Sequence, residues 1–207
     1  MYARSNTIMG NPQAMDEGIT YVRDEVLPLL SGMDGFVGLS MLCDRDTGRC
    51  IVTSAWESQD AMRASDAGVQ ASRARAAEIF GGATPEVREW EIALMHRKRD
   101  APDGACCRVT WSRGEADRVD SMVDTFRMGI MPRVEELAGF CSVSLLVDRA
   151  TGMCTLAATY ESREALQATN QDVAALREQF TRETGFQVTD VAEMELALAQ
   201  LHVPETV

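Results

Sequence analysis

The sequence predicts an α+β fold in which two ferredoxin-like βαββαβ repeats pack sheet to sheet. Two observations predict it. Shifting the sequence by 104 residues aligns its two halves without a gap. Each half also shows apolar spacing in the order strand, helix, strand, strand, helix, strand. Such a repeat leaves one face of its sheet bare, because both helices pack on the other face, and a second repeat can cover it.

The strongest marker of the duplication is a turn motif, D-R-x-T-G-x-C, which begins at Asp44 and again at Asp148. Between the halves lies a charged segment with Pro and Gly, which is typical of a linker. We therefore predict a first repeat at 1–96, a linker at 97–104 and a second repeat at 105–207.

Each repeat opens with a short extended segment, 2–9 and 106–113, which we predict to be a strand. Apolar residues at helical spacing then predict amphipathic helices at 12–30 and 117–137. Pro28 has no amide hydrogen, so it should kink or end the first of these helices near its C-terminus.

A β-hairpin follows in each repeat, because two β-rich segments flank a turn that begins with Asp and ends near Gly. The predicted strands are Phe36–Cys43, Cys50–Trp56, Phe140–Val147 and Cys154–Tyr160.

The second helix of each repeat has clear end signals. Ser58 and Ser162 are predicted N-caps, and Gly81 and Gly185 suit the C-terminal ends of helices of about 20 residues. The last predicted strands are 87–96 and 191–200.

Composition limits the function. The chain of 207 residues is 45% hydrophobic and carries a net charge of −12. This acidity counts against a nucleic-acid partner and against adhesion to anionic membranes. With no signal peptide in the first ten residues and no membrane-spanning apolar run, we expect a cytoplasmic protein with no membrane partner.

The six cysteines form no C-x-x-C pair, so we predict no metal site and reduced, half-buried thiols.

Several segments resemble the antibiotic biosynthesis monooxygenase-like family of the dimeric α+β barrel superfamily. They are the M-Y-A-R strand, the E-V-L-P helix end, the G-F-x-G strand, the D-R-x-T-G hairpin and the segment V-T-S-A-W-E-S-x-D-A-M. A single unit of that family normally forms a homodimer. The resemblance therefore implies that this tandem chain folds as an intramolecular dimeric α+β barrel, either a monomeric pseudo-dimer or a homodimer of the fused chain.

The resemblance also implies a catalytic candidate. Family members include cofactor-independent oxygenases of polycyclic phenols, and they carry a pocket asparagine on the first strand, where Asn6 stands here. Its amide could hold dioxygen or a substrate oxygen by a hydrogen bond. The alternative is a strand asparagine that is satisfied by backbone or water. The second repeat has Thr110 instead.

Haem-degrading members of the family need an aromatic residue and an axial histidine on the second helix. Residues 61–75 and 165–177 contain neither Trp nor His, which argues against haem. We expect no cofactor, with dioxygen as co-substrate if the protein is an oxygenase.

Cationic and aromatic positions that recur in both repeats are the substrate-binding candidates, namely Arg4, Trp56, Arg73, Arg108, Tyr160 and Arg177. Arginine can hold a phenolate or carboxylate, and an aromatic ring can stack on a planar ligand. Each candidate also has a structural interpretation. Arg4 and Arg108 could form cross-strand ion pairs with Glu91 and Glu195, the other arginines could be solvated, and the aromatic residues could be core.

Three functions stay open at this stage. The first is a cofactor-independent monooxygenase-like protein acting on a small aromatic or quinol-type molecule. The second is a non-catalytic small-molecule-binding protein, and the third is a structural α+β barrel with a filled core. Differences between the halves, such as Asn6 against Thr110, suggest that at most one half retains a given activity.

Overall fold

The strands and helices of the chain follow the predicted order in both repeats. The structure is a computed structural model that describes residues 1–81, 84–201 and 204. Within these residues the strands are β1 (Tyr2–Met9), β2 (Phe36–Cys43), β3 (Arg49–Trp56), β4 (Glu86–Arg97), β5 (Cys106–Arg113), β6 (Phe140–Asp148), β7 (Met153–Tyr160) and β8 (Gln187–Leu201). The α-helices are α1 (Met15–Tyr21), α2 (Leu27–Ser31), α3 (Gln59–Ala64), α4 (Asp66–Phe80), α5 (Val119–Thr125), α6 (Met131–Glu135), α7 (Arg163–Ala168) and α8 (Asn170–Thr184).

The strands fall into two compact units. Unit 1 comprises Met1–Trp90 and the end of β8 from Glu195, and its strand order is β4-β1-β3-β2-β8. Unit 2 comprises Glu91–Met194, with the order β8-β5-β7-β6-β4. Strands β4 and β8 stand at the two ends of both strand orders, so the eight strands together have the order of a closed barrel. This strand order confirms the predicted fold class. The predicted repeat boundaries at 1–96, 97–104 and 105–207 stay a prediction.

A wide helical turn precedes the proline in the first helix of each repeat. In unit 1, the π-helical turn Val22–Val26 joins α1 to α2, and the Leu27 amide donates to the Val22 carbonyl five residues earlier. Pro28, which has no amide to donate, follows directly, and the helix continues to Ser31. Pro28 therefore distorts the helix and does not end it. Unit 2 repeats this π turn at Phe126–Ile130.

The second helix of each repeat is broken, whereas the sequence predicted one helix of about 20 residues. The Ser58 hydroxyl caps α3 as expected, by accepting from the Ala61 amide. Ser65 then separates α3 from α4, and its hydroxyl donates to the Met62 carbonyl at 2.7 Å. Thr169 does the same between α7 and α8. Such side-chain bonds to the preceding turn compete with the helical hydrogen bonds, which explains the interruption.

The arginine of each D-R-x-T-G turn donates hydrogen bonds to a carboxylate on a neighbouring strand and to another on the first helix. Arg149 donates to Glu91 and to Asp120, both at 2.6 Å. In unit 1, Arg45 makes the equivalent bonds to Glu195 at 2.6 Å and to Asp16 at 2.9 Å.

These contacts correct the ion pairs expected from sequence. Arg4 pairs with Glu89, and Arg108 pairs with Glu193, not with Glu91 and Glu195. The neighbouring strands were predicted correctly, but the register was wrong by two residues. That shift is about 7 Å along a strand, which is more than an ion pair spans.

Glycine is required at Gly48, where the hairpin turn meets the end of β1. Its φ is +79°, and a Cβ there would lie 2.1 Å from the Gly10 carbonyl oxygen. The Gly10 amide donates to the Gly48 carbonyl at 2.9 Å, so the two backbones are in direct contact. Gly152 and Gly114 repeat the arrangement in unit 2.

Both units have an apolar core between sheet and helices. Trp56 and Phe80 are fully buried in unit 1, as are Tyr160 and Phe186 in unit 2. Among the described residues, no helix is both long and apolar enough to cross a membrane.

We predict that Gly48→Ala destabilises the fold more than Gly104→Ala. Both glycines have positive φ, but a Cβ at Gly104 would meet nothing within 4 Å. Gly104→Ala should lower the free energy of unfolding by about 1–2 kcal/mol, from backbone strain alone. Gly48→Ala should lose a further 1–3 kcal/mol, roughly, from overpacking. Urea unfolding followed by circular dichroism measures both losses, and equal values would contradict the role given to the Gly10 contact.

We predict that Glu91→Gln weakens the fold in a pH-dependent way. The hydrogen bond and charge of Arg149 hold the pKa of Glu91 below its ordinary value of 4.5. A lowered folded-state pKa contributes stability above the unfolded pKa, and that stability is lost as pH falls through the folded value. The substitution should therefore cost about 1 kcal/mol or less at neutral pH, because the pair is partly exposed.

The loss should shrink as the pH falls below 4.5. Urea unfolding across this range measures it, with Glu178→Gln on the exposed face of α8 as the control. A loss that is constant with pH would contradict the ion pair.

Candidate functional site

Unit 1 contains a pocket between its sheet and its helices, which we call the first pocket. It encloses about 570 Å³ of free space, its open mouth included. Strands β1 and β3, the first helix and α4 line it. The four candidates of the first repeat, Arg4, Asn6, Trp56 and Arg73, all lie on its wall.

Arg73 fixes the orientation of Asn6 in the first pocket. Its Nε donates to Asn6 Oδ1 at 2.9 Å, and its Nη2 donates to Asp66 Oδ1 at 3.1 Å. Because a guanidinium only donates hydrogen bonds, the Asn6 atom that faces it must be the carbonyl oxygen. The NH₂ group of Asn6 is then left as a hydrogen-bond donor for a ligand.

Arg4 lies beneath this pair and is almost fully buried, with 3% exposure. It donates to Ser65 Oγ at 3.1 Å and to Glu89 Oε1 at 3.3 Å, and Asp66 lies 3.7 Å away. Sequence reasoning missed Ser65, Glu89 and Asp66. Ser65 itself, directly before α4, was the available signal for the helix break.

Trp56 lines the pocket at the end of β3 and is fully buried. Its indole Nε1 donates to Ser54 Oγ at 3.0 Å, so this polar group is already satisfied. The edge of the ring also packs against Phe36, with the ring centroids 5.5 Å apart. Trp56 can therefore contribute an apolar planar wall to a ligand.

Unit 2 contains an equivalent pocket, the second pocket, with about 660 Å³ of free space including its mouth. Arg108, Tyr160 and Arg177 line it, as does Thr110 at the position that corresponds to Asn6. The structure thus brings the predicted residues of the second repeat together as well.

Arg108 donates to four protein groups. It donates to Thr169 Oγ1 and to the Leu166 carbonyl, both at 3.1 Å, and to Glu193 Oε1 at 2.9 Å. It also donates to Asn170 Oδ1. Asn170, Thr169 and Glu193 were not found from the sequence.

Tyr160 is buried beside Arg108, whose guanidinium carbon lies 5.9 Å from the ring centroid. Burial raises the pKa of the Tyr160 phenol, against the opposing effects of Thr169 and Arg108. The phenol is therefore protonated at neutral pH.

Arg177 differs from its counterpart Arg73. Within the described part of the chain, its buried Nε has no hydrogen-bond partner. Burial lowers the pKa of Arg177, and the positive charge of Arg108 lowers it further. The partners of Arg73 are replaced in this repeat, Asn6 by Thr110 and Asp66 by Asn170.

The cysteines lie in the core, more deeply than the sequence suggested. All six are buried and none forms a disulfide bond. Burial raises the pKa of Cys107 and of Cys154 to about 12, so both are unreactive thiols at neutral pH.

Among the described residues, no group of three or more His, Cys, Asp or Glu side chains could hold a metal ion. His96 contacts Glu135 at 3.4 Å and lines neither pocket, and His202 lies outside the described residues.

Comparison with known proteins indicates the family of the chain. The antibiotic biosynthesis monooxygenase profile matches residues 1–77. One uncharacterized protein of Mycobacterium tuberculosis is 49% identical over 207 residues, which cover all of this chain and 92% of that protein. A second from the same organism is 46% identical over 208 residues, covering all of this chain and 88% of its own length.

Solved structures share the fold over nearly the whole chain. An anthrone oxidase-like protein aligns with a TM-score of 0.68 at 12% identity, covering 99% of this chain and 94% of its own. A Lactobacillus acidophilus protein aligns with a TM-score of 0.69 at 12% identity, covering 97% and 96%. The profile match to the first repeat, together with the full-length relatives, shows that the chain belongs to the antibiotic biosynthesis monooxygenase family.

Proposed function

We propose that unit 1 is a cofactor-independent monooxygenase that acts on a small aromatic or quinol-type molecule in the first pocket. The observation that carries the proposal is the Asn6 amide, oriented by Arg73 on the wall of a pocket with apolar sides. Membership of the family supports a monooxygenase-like activity. One neighbour of the same fold is described as anthrone oxidase-like, which makes an anthrone a suitable first probe.

The proposed reaction needs no cofactor besides dioxygen, because the substrate supplies the electrons. For an anthrone, the ring methylene becomes a carbonyl. One oxygen atom of dioxygen enters that carbon, and the other leaves as water with the two methylene hydrogens. The four electrons that reduce dioxygen all come from the substrate, so no external reductant takes part.

The residues of the first pocket act by binding and orientation. The Asn6 NH₂ donates to dioxygen or to the substrate oxygen, and the Trp56 ring forms a flat wall for the aromatic body. Arg73 holds the amide in place and is therefore a positioning residue. The valine and leucine side chains of the first helix exclude water from the site.

Charge balance favours a substrate that enters the first pocket uncharged. The two arginines that line the pocket, Arg4 and Arg73, each have a carboxylate partner, Glu89 and Asp66, and Glu89 is shared with the exposed Arg63 outside the lining. A neutral phenol or anthrone therefore meets no uncompensated charge, while the guanidinium groups can still stabilise an anion that forms during the reaction.

Binding without turnover is the second candidate function, and one observation favours it for unit 2. Thr110 stands where unit 1 has Asn6, so the second pocket lacks the amide that the oxygenase proposal requires. Oxygen uptake separates the two functions, because a binding protein consumes none.

We predict that Asn6→Ala lowers the rate of oxygen uptake with anthrone. Loss of one oriented donor should reduce kcat on the order of 100-fold. An oxygen electrode measures the rate, with Gln70→Ala on the exposed face of α4 as the matched loss of an amide. Unfolding curves of both variants check that the fold is retained.

The outcomes of this experiment are distinct. If the rate of oxygen uptake with anthrone is the same in Asn6→Ala and in the native chain, Asn6 takes no part in the reaction. If the native chain binds anthrone in calorimetry but consumes no oxygen, the protein binds such molecules without turning them over.

We predict that Arg73→Met acts through Asn6. The variant should lose kcat in the same direction as Asn6→Ala, because the amide is no longer oriented. The double variant should lose little more than Asn6→Ala alone, since contacting residues are not additive. Arg75→Met, one exposed guanidinium further along α4, is the control. Additive losses in the double variant would show that Arg73 acts independently of Asn6.

A further inference from the structure

The two pockets differ in whether the arginine on their second helix has a carboxylate partner. In the first pocket, Arg73 is ion-paired with Asp66, and Arg4 shares Glu89 with the exposed Arg63. In the second pocket, Arg108 and Arg177 face one ion-paired carboxylate among the described residues, Glu193. Arg177 therefore has no ion-paired carboxylate among the described residues, whereas its counterpart Arg73 has Asp66.

Two substitutions between the repeats leave Arg177 without the partners that Arg73 has. Asn170 stands where the first repeat has Asp66, which removes a carboxylate. Its amide oxygen accepts from Arg108 and not from Arg177. Thr110 stands where the first repeat has Asn6, which removes the acceptor for the arginine Nε.

Arg177 is consequently a partly buried cation whose buried Nε lacks an acceptor. This Nε has no partner among the described residues, while Arg108 already donates to four protein groups. A buried donor without an acceptor is unfavourable, and an anionic oxygen at this point would supply both the missing hydrogen bond and the missing ion pair.

The remaining wall of the second pocket is more apolar than that of the first. Phe180 replaces Ala76, and Leu176 replaces Ser72. A ligand that fits must combine an apolar body with a single charged end.

We propose that the second pocket binds an apolar-bodied monoanion, a carboxylate or phenolate, whose anionic oxygen accepts from Arg177. The ligand's body lies against Phe180 and Leu176. This site is separate from the proposed oxygenase pocket, and its test measures binding rather than turnover.

The test compares two ligands that differ in charge but hardly in shape, 1-naphthoate and 1-naphthamide. Isothermal titration calorimetry of the full chain should show one naphthoate site, with affinity about tenfold or more above that for the amide, since a charge-assisted hydrogen bond is gained. Arg177→Met should remove this preference. Arg182→Met, an exposed arginine on α8, should keep it.

Two charge-swap variants test the cause. Asn170→Asp supplies the carboxylate that the first repeat has, so the preference for naphthoate should disappear. Asp66→Asn leaves Arg73 uncompensated in the first pocket, so a second naphthoate site should appear. Circular dichroism and unfolding curves establish that each variant is folded.

Equal affinity for the two naphthalene ligands would overturn the proposal, as would an absence of naphthoate binding at millimolar concentration. A preference that survives both Arg177→Met and Asn170→Asp would also overturn it. Failure of oxygen uptake with anthrone concerns only unit 1 and leaves this result unaffected.

Discussion

A buried arginine on the first strand organises each unit. Arg4 and Arg108 are both 3% exposed, and a guanidinium so far from water must be surrounded by acceptors. The acceptors come from two directions. The last strand supplies Glu89 or Glu193, and the broken second helix supplies the hydroxyl of Ser65 or Thr169. The hydroxyl groups of Ser65 and Thr169 thus have two roles. They interrupt the second helix of each repeat, and by binding the strand arginine they hold the start of α4 or α8 over the strand, where it forms one wall of the pocket.

This scaffold tolerates different pocket chemistry in its two copies. Trp56 requires an acceptor for its indole hydrogen and has Ser54 two residues earlier, whereas Tyr160 follows Ala158. The aromatic residue and its polar partner thus changed together, and both rings stayed buried. The backbone that carries them kept the same registers with its neighbouring strands. Duplication preserved the architecture while the side chains that face each pocket diverged.

The sequence predicted the fold because its signals are local and occur twice. Apolar periodicity, the Ser58 cap and the glycines at the helix ends each depend on a few neighbouring residues. The ion-pair networks depend on strand register, which local patterns do not define. Glu91 was the expected partner of Arg4, and only the three-dimensional alignment of β4 beside β1 assigns Glu89 to it. Asp66 was missed because its role exists only once Ser65 breaks the helix.

The missing partner of Arg177 is the feature that folding alone explains least. An unpaired, partly buried guanidinium lowers stability, and a single exchange of Asn170 for aspartate would supply the missing carboxylate. Positions that break the rules of local consistency are expected where a site is built for a ligand. In the first pocket, by contrast, the carboxylates already satisfy both arginines, and the donor left for a ligand is the neutral amide of Asn6. The two copies therefore suit ligands of different charge, a neutral aromatic molecule in one and an anion in the other.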